Sequence, residues 1–343
     1  MSPETIRDKA AALLVELGVG EDCVISPLPG SRTQRTFHCR HRGNELVIKG
    51  YPTLETDGID PFAAECAFYD YLESIRPEQT PQARGWDGEQ RVGVLSLWPG
   101  RPPKPVELGT EFVRAAGRFI AIINHRRHEL PSTFPSLPQR EESISALLQS
   151  INQTLIEGLP EALLAIEPLK LFWEEDLQPA WHQVMGATLS GLHLANLDSS
   201  QRLEKTMALI TPGDLGPENA LIGPDRRYGF CDFDQVSWTD PGYLIARFFC
   251  RLGAQETTSL LPQFMEALEG IPHLDPHTAI RSRLLLPAMH MEQALLELFG
   301  FESWGCMEHQ VAAADATHRV AWMERLGIAR KRIKKVLMHL PQP

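Results

Sequence analysis

The chain has 343 residues, 43% hydrophobic and 22% charged, which are the proportions of a folded globular protein and not of a disordered or fibrous one. Its 33 Lys and Arg against 44 Asp and Glu leave a formal charge of -11, which opposes nonspecific nucleic-acid binding because that needs clustered cations to displace counterions. No run reaches the roughly 18 to 20 apolar residues of a membrane span, so neither nucleic acid nor membrane is an expected partner.

The opening Met1-Ser2-Pro3-Glu4-Thr5 lacks a basic region followed by an apolar stretch, and Ser2 stands where myristoylation needs glycine; a cytoplasmic protein is expected. Cys23, Cys39, Cys66, Cys231, Cys250 and Cys306 have no close CxxC spacing and read as reduced thiols. The length, against a prior of about 150 residues per domain, predicts two domains or lobes.

Ile6, Ala10, Leu13, Leu14 and Leu17 recur at helical spacing, so residues 4–17 form an amphipathic helix that stops at Gly18 or Gly20. Val24-Ile25-Ser26, Thr36-Phe37-His38-Cys39 and Glu45-Leu46-Val47-Ile48-Lys49 read as strands, with turns at Pro29-Gly30-Ser31 and Gly43-Asn44. Together they predict a small antiparallel sheet. Asp60-Pro61 is a helix start, an acidic cap followed by the residue suited to the first turn, and the helix runs through Glu65 to about Leu72. Another β-rich stretch, 91–97, is stopped by Trp98-Pro99-Gly100 and the Pro-rich 101–105, where the domain boundary is placed: 1–100 and 101–343.

Beyond it, residues 110–125, 141–156, 160–174 and 178–195 carry helical periodicity. One β-like interruption, Ala220-Leu221-Ile222 and Tyr228-Gly229-Phe230-Cys231 around Gly223-Pro224-Asp225, reads as a hairpin. Helices resume at Pro241. The run Arg330, Lys331, Arg332, Lys334 and Lys335 is interleaved with Ile333, Val336 and Leu337 and reads as the solvated face of a terminal helix.

Thr211-Pro212-Gly213-Asp214-Leu215-Gly216-Pro217-Glu218-Asn219, followed after the hairpin by Asp232-Phe233-Asp234, is the most informative stretch. Phosphoryl transfer needs Mg2+ to neutralise phosphate charge and a carboxylate to orient and deprotonate the attacking hydroxyl. An aspartate and an asparagine on one loop, with a second aspartate returned beside them by a hairpin, meet both needs. Asp214 is then the base, and Asn219 and Asp232 are the metal ligands.

These residues, with Trp238-Thr239-Asp240-Pro241, resemble the catalytic loop, metal loop and following Asp-Pro of the aminoglycoside phosphotransferase and choline kinase-like family. The resemblance implies an α+β, two-lobed protein-kinase-like fold, with a small antiparallel sheet lobe carrying one helix and a large helical lobe. It implies ATP or GTP as donor, Mg2+ as cofactor, and a small-molecule hydroxyl as acceptor. It further implies that Lys49 holds the nucleotide phosphates with Glu65 as its ionic partner, that Gly30-Ser31 is the phosphate-covering turn, and that Leu97-Trp98 belong to the hinge whose backbone binds adenine. The chain departs from the family at Pro212, where a histidine is common, and at Gly242-Tyr243 after Asp240-Pro241.

Taken singly these residues have plainer readings: Asp214 as a turn residue, Lys49 at a strand end, Glu65 as a solvated helix position. Their joint order favours function. Asp240 reads as a helix cap. The pairs His125/His128 and His38/His41 lack a third ligand for zinc, and Ser190-Gly191-Leu192-His193 lacks a nucleophile elbow. Two alternatives stay open: a nucleotide-binding protein of this fold without catalysis, and a metal-dependent glycosyltransferase using Asp232-Phe233-Asp234.

Overall fold

The computed structural model describes residues 1–19, 23–28, 35–52, 59–130, 134–136, 138, 141–157, 166–252, 257–299 and 316–340. The chain divides into two compact units: one comprises Met1–Ser136, Ile210–Trp238 and Pro262–Pro272, the other Leu137–Leu209, Thr239–Leu261 and His273–Pro343.

In the first unit, α1 (Pro3–Glu16) is capped by Ser2, whose hydroxyl accepts the Thr5 amide, and buries Ile6, Ala10, Leu13 and Leu14. That face shares a core with Phe37, Cys39, Ile48, Val92 and Val94. The sheet under it has five strands, β1 (Val24–Pro27), β2 (Thr36–His41), β3 (Asn44–Gly50), β4 (Ala83–Asp87) and β5 (Val92–Ser96), in the order β1-β2-β3-β5-β4. All of its pairings are antiparallel. His41 pairs with Asn44, so the β2–β3 turn is Arg42-Gly43, one residue earlier than expected, with both residues at positive φ as a two-residue hairpin of matching twist requires. β4 was not expected, because Ala83-Arg84-Gly85-Trp86-Asp87 shows no alternation of apolar and polar residues.

Helix α2 (Pro61–Ile75) starts as its Asp60-Pro61 signal requires: the Asp60 carboxylate accepts the Phe62 amide at 3.0 Å. Its buried face holds Ala64, Glu65, Phe68, Tyr69 and Leu72, which places one carboxylate among apolar neighbours. Helix α3 (Thr110–His125) matches its expected span and ends in buried Asn124. The Asn124 amide nitrogen donates to the Ile120 and Ile210 carbonyls, and its oxygen accepts the Ile210 amide at 2.7 Å. This fixes β6 (Leu209–Thr211), which pairs with β9 (Ser237–Thr239); between them the hairpin β7 (Ala220–Ile222) and β8 (Tyr228–Phe230) forms as expected.

The second unit is helical. Its elements are α4 (Ile144–Asn152), α5 (Glu167–Leu171) running on through wider turns into α6 (Gln178–Leu194), α7 (Pro241–Leu252), α9 (Thr278–Phe299) and α10 (Ala316–Met338); α8 (Thr257–Leu268) has residues in both units. α9 packs along α7 and α10, and Leu147, Leu148, Trp181, Val184, Leu285, Met289, Leu295 and Ile333 fill the core. The basic run of α10 is less solvated than its charge suggests. Arg330 reaches Asp176 at 2.6 Å over the Phe172 ring, and Arg332 pairs with Glu297 at 2.7 Å. No described helix is long and apolar enough to cross a membrane.

Candidate active site

Side chains two apart on a strand share a face, so β3 and its continuation present Lys49 and Tyr51 on one side. Lys49 is 6% exposed and Glu65 of α2 is 0% exposed. Removing either charge from water is costly unless it is paired. Lys49 Nζ donates to Glu65 Oε2 at 2.6 Å, while Tyr51 Oη donates to the same oxygen at 2.8 Å and the Phe233 amide to Oε1 at 3.1 Å. Both oxygens of the buried carboxylate are thereby satisfied. The same ammonium contacts Asp232 Oδ1 and lies 3.4 Å from Asp234 Oδ2.

One cation therefore faces three carboxylates. Burial disfavours the Lys49 charge, but Glu65 first, then Asp232 and Asp234, outweigh it and hold its pKa well above the ordinary value. Burial pushes Asp234 upward, Lys49 opposes this, and the neighbouring charges of Asp232 and Asp214 add to the rise. Burial also raises Tyr51, with Glu65 next, which keeps its phenol a donor.

The loops that carry the aspartates touch. Gly213 has φ +94°, and a β-carbon there would lie 3.0 Å from the Gln235 side chain and 3.2 Å from its backbone, so only glycine permits this approach. Within the first loop Asn219 Nδ2 donates to the Asp214 carbonyl at 2.9 Å, and the Cys231 amide donates to the Asn219 carbonyl at 3.0 Å. The hairpin register, with Ala220 opposite Phe230, thus extends to bring Asn219 opposite Cys231, next to Asp232. Asp232 itself sits in the left-handed region at φ 69°. Phe233 anchors this turn in an aromatic core, with ring centroids 5.0 Å from Phe68 and 5.6 Å from Tyr69.

Of the other expected site residues, Gly30 and Ser31 lie outside the described residues. Leu97 follows β5, and its amide donates to the Glu45 carbonyl at 3.3 Å. The Trp98 ring lies against Gly229 of the hairpin, where a β-carbon would come within 2.6 Å of it, and its Nε1 donates to the Glu78 carbonyl at 3.2 Å. The Trp98 side chain is thus engaged in packing. Tyr51, Asn124 and the contact of Asp234 with Lys49 were not expected from sequence. A signal for Tyr51 existed in its i+2 spacing from Lys49.

Carboxylate oxygens of Glu65, Asp232 and Asp234 all lie within 4.8 Å of one another, a grouping that could hold a cation. Hard oxygen donors suit Mg2+. Glu65 is committed to three hydrogen-bond donors, so Asp232 and Asp234 are the members of this group better able to take a cation.

In the second unit Asp240 caps α7, as expected: its Oδ1 accepts the Gly242 and Tyr243 amides at 2.7 and 3.1 Å, while Oδ2 pairs with Arg281.

Comparisons with known proteins bear on the fold and the family. A search of curated proteins returns no match. Among solved structures, choline kinase from Cryptosporidium parvum Iowa II is similar with a TM-score of 0.60 at 13% identity, covering 99% of this chain and 96% of that one. Choline kinase LicA from Streptococcus pneumoniae gives 0.57 at 16% identity over 97% and 98%, and macrolide 2'-phosphotransferase MphH from Brachybacterium faecium gives 0.53 at 15% over 92% and 98%. At these identities the likeness shows the fold, α+β and kinase-like. The model of the family described as "Phosphotransferase enzyme family" matches residues 24–280, which contain every residue of the constellation above. This chain belongs to that family and is a phosphotransferase with an alcohol group as acceptor.

Proposed function

We propose that the protein is a small-molecule kinase that transfers the γ-phosphoryl group of ATP or GTP to a substrate hydroxyl. The observation that carries this reading is the single buried ammonium of Lys49, held by fully buried Glu65 and in contact with Asp232 of a second loop. A charge excess of carboxylates over cations, beside a loop bearing Asp214 and Asn219, suits a site that receives metal-bound phosphates.

Lys49 holds the nucleotide phosphates and Glu65 holds Lys49. Asp214 orients the acceptor hydroxyl and accepts its proton as the oxygen attacks phosphorus. Asn219 and Asp232 hold Mg2+, which neutralises phosphate charge when bound. The backbone of Leu97 and Trp98 receives the adenine, and Gly30-Ser31 covers the phosphates. On this reading the nucleotide lobe ends near residue 100. The five-stranded antiparallel sheet gives the glycosyltransferase alternative no support, since the parallel βα alternation expected of such an enzyme is not the pattern of this sheet.

The test is Mg2+-dependent consumption of ATP and GTP against choline, ethanolamine, other amino alcohols, sugars, aminoglycosides and a macrolide. The choline kinase and macrolide phosphotransferase likenesses motivate that panel, and LicA in complex with AMP motivates an adenine nucleotide as first donor. The expected result is turnover with one acceptor class, lowered about 10²- to 10⁴-fold in Asp214→Asn, the range for loss of a general base, with an unchanged melting curve. Near-wild-type turnover by that variant refutes Asp214 as the base. Nucleotide binding with no turnover on any acceptor would favour the non-catalytic alternative.

A further inference from the structure

Glu65 accepts three donors, and only one of them is Lys49. The Tyr51 amide donates to the Arg91 carbonyl at 2.9 Å, which extends the β3–β5 ladder by one residue and fixes the direction of the side chain. The Tyr51 ring is 4% exposed and packs edge-on to Phe62 at 5.3 Å and tilted to Trp86 at 6.4 Å. A phenol clamped on both its backbone and its ring has little freedom, so its hydroxyl is a preset donor. It meets Glu65 Oε2, the oxygen that also receives Lys49.

We infer that Tyr51 is a positioning residue for phosphoryl transfer, whose phenol fixes the Glu65 carboxylate so that Lys49 stays directed at the nucleotide phosphates. The inference rests on the kinase reading above. Lys49 has three carboxylate neighbours, and only Glu65 is wholly buried. When phosphates draw the ammonium away from Asp232, the bond to Glu65 alone keeps it aimed. A carboxylate on a flexible side chain turns unless other donors hold it. The Phe233 amide holds Oε1 and Tyr51 holds Oε2, so the acceptor atom remains in place while the ammonium changes its other partners.

Tyr51→Phe removes one oxygen and preserves the ring packing. Equilibrium binding of Mg·ATP and Mg·GTP is measured by titration calorimetry, which needs no acceptor, for the wild type, Tyr51→Phe, Glu65→Gln and the double variant, with melting temperatures for each. The expected result is that Tyr51→Phe weakens binding about tenfold, as for loss of one hydrogen bond to a charged group, at nearly unchanged melting temperature. The same substitution in Glu65→Gln should add less than about twofold, because the tyrosine acts through that carboxylate. Should Glu65→Gln fail to fold, Lys49→Met serves as the background. Wild-type affinity in Tyr51→Phe, an equal loss in both backgrounds, or a lowered melting temperature with unchanged affinity overturns the inference and leaves the kinase reading intact. A folded wild type that binds neither nucleotide overturns that reading and the inference with it.

Discussion

Around Lys49 one ammonium faces Glu65, Asp232 and Asp234; around Arg281 one guanidinium faces Asp240, where it pairs with Oδ2, and Asp275 at 3.5 Å. The two clusters differ in what else the carboxylates receive. Asp240 takes two backbone amides at the start of α7, and Asp275 takes the His277 amide at 2.9 Å, so positive ends of backbone dipoles complete the balance. Glu65 is also complete, through Tyr51 and the Phe233 amide. Asp232 and Asp234 instead share the ammonium that Glu65 already holds. A charge cluster closed by amides serves the fold, whereas one with carboxylates in excess is poised for a cation from outside.

The comparison breaks most directly at Arg281. Arg281→Met removes the cation from two buried carboxylates and is expected to destabilise the protein by about 3–5 kcal/mol, read in urea unfolding. Nucleotide affinity of the molecules that remain folded should not change. A loss below about 1 kcal/mol would mean that the amides alone balance Asp240 and Asp275.

A third buried group sharpens the contrast through pH. His290 is 4% exposed, with Nδ1 3.3 Å from both Cys250 Sγ and Arg332 Nη1. Burial first, then the charges of Arg332 and Lys335, push its pKa down to about 3. The unfolded chain therefore binds a proton below its ordinary value near 6.5, while the folded one stays neutral until far lower pH. Stability is fully present above that value and is lost as pH falls towards 3, by up to about 1.4 kcal/mol per pH unit. His290→Gln should flatten the slope of stability between about pH 6 and 4 by that amount; an unchanged slope would show that other groups carry it.

What could be read from sequence was whatever lay close together in the chain. Asp214, Asn219 and Asp232 stand around one hairpin whose turn is marked by Gly223-Pro224-Asp225, and the Asp60-Pro61 cap set the phase of the helix that presents Glu65. Where a feature depends on pairing across distance, local pattern is silent. β4 exists because it adds to β5, and β6 and β9 are three-residue strands that carry too little periodicity to be seen. Asn124 fixes β6 from a partner 86 residues away. Both aspartates of Asp232-Phe233-Asp234 were visible, but their common approach to Lys49 arises from the turn at Asp232.

The smallest effect tests the excess-charge idea from the opposite side. If the Lys49 cluster holds more carboxylate than the fold requires, neutralising one of them should stabilise the protein, as happens where a site trades stability for function. Asp234 is the group to change, because Glu65 is committed to three donors and Asp232 is in closer contact with Lys49. Burial and the charges of Asp232 and Asp214 already disfavour its ionised form, against the pull of Lys49. Asp234→Asn keeps the shape and is expected to raise stability by about 0.5–1 kcal/mol in urea unfolding, opposite in sign to Arg281→Met. It should also weaken the Mg2+ dependence of nucleotide binding. A loss of stability on this substitution would mean that Asp234 is needed to balance Lys49, and the two clusters would then be alike in kind, each closed within the fold.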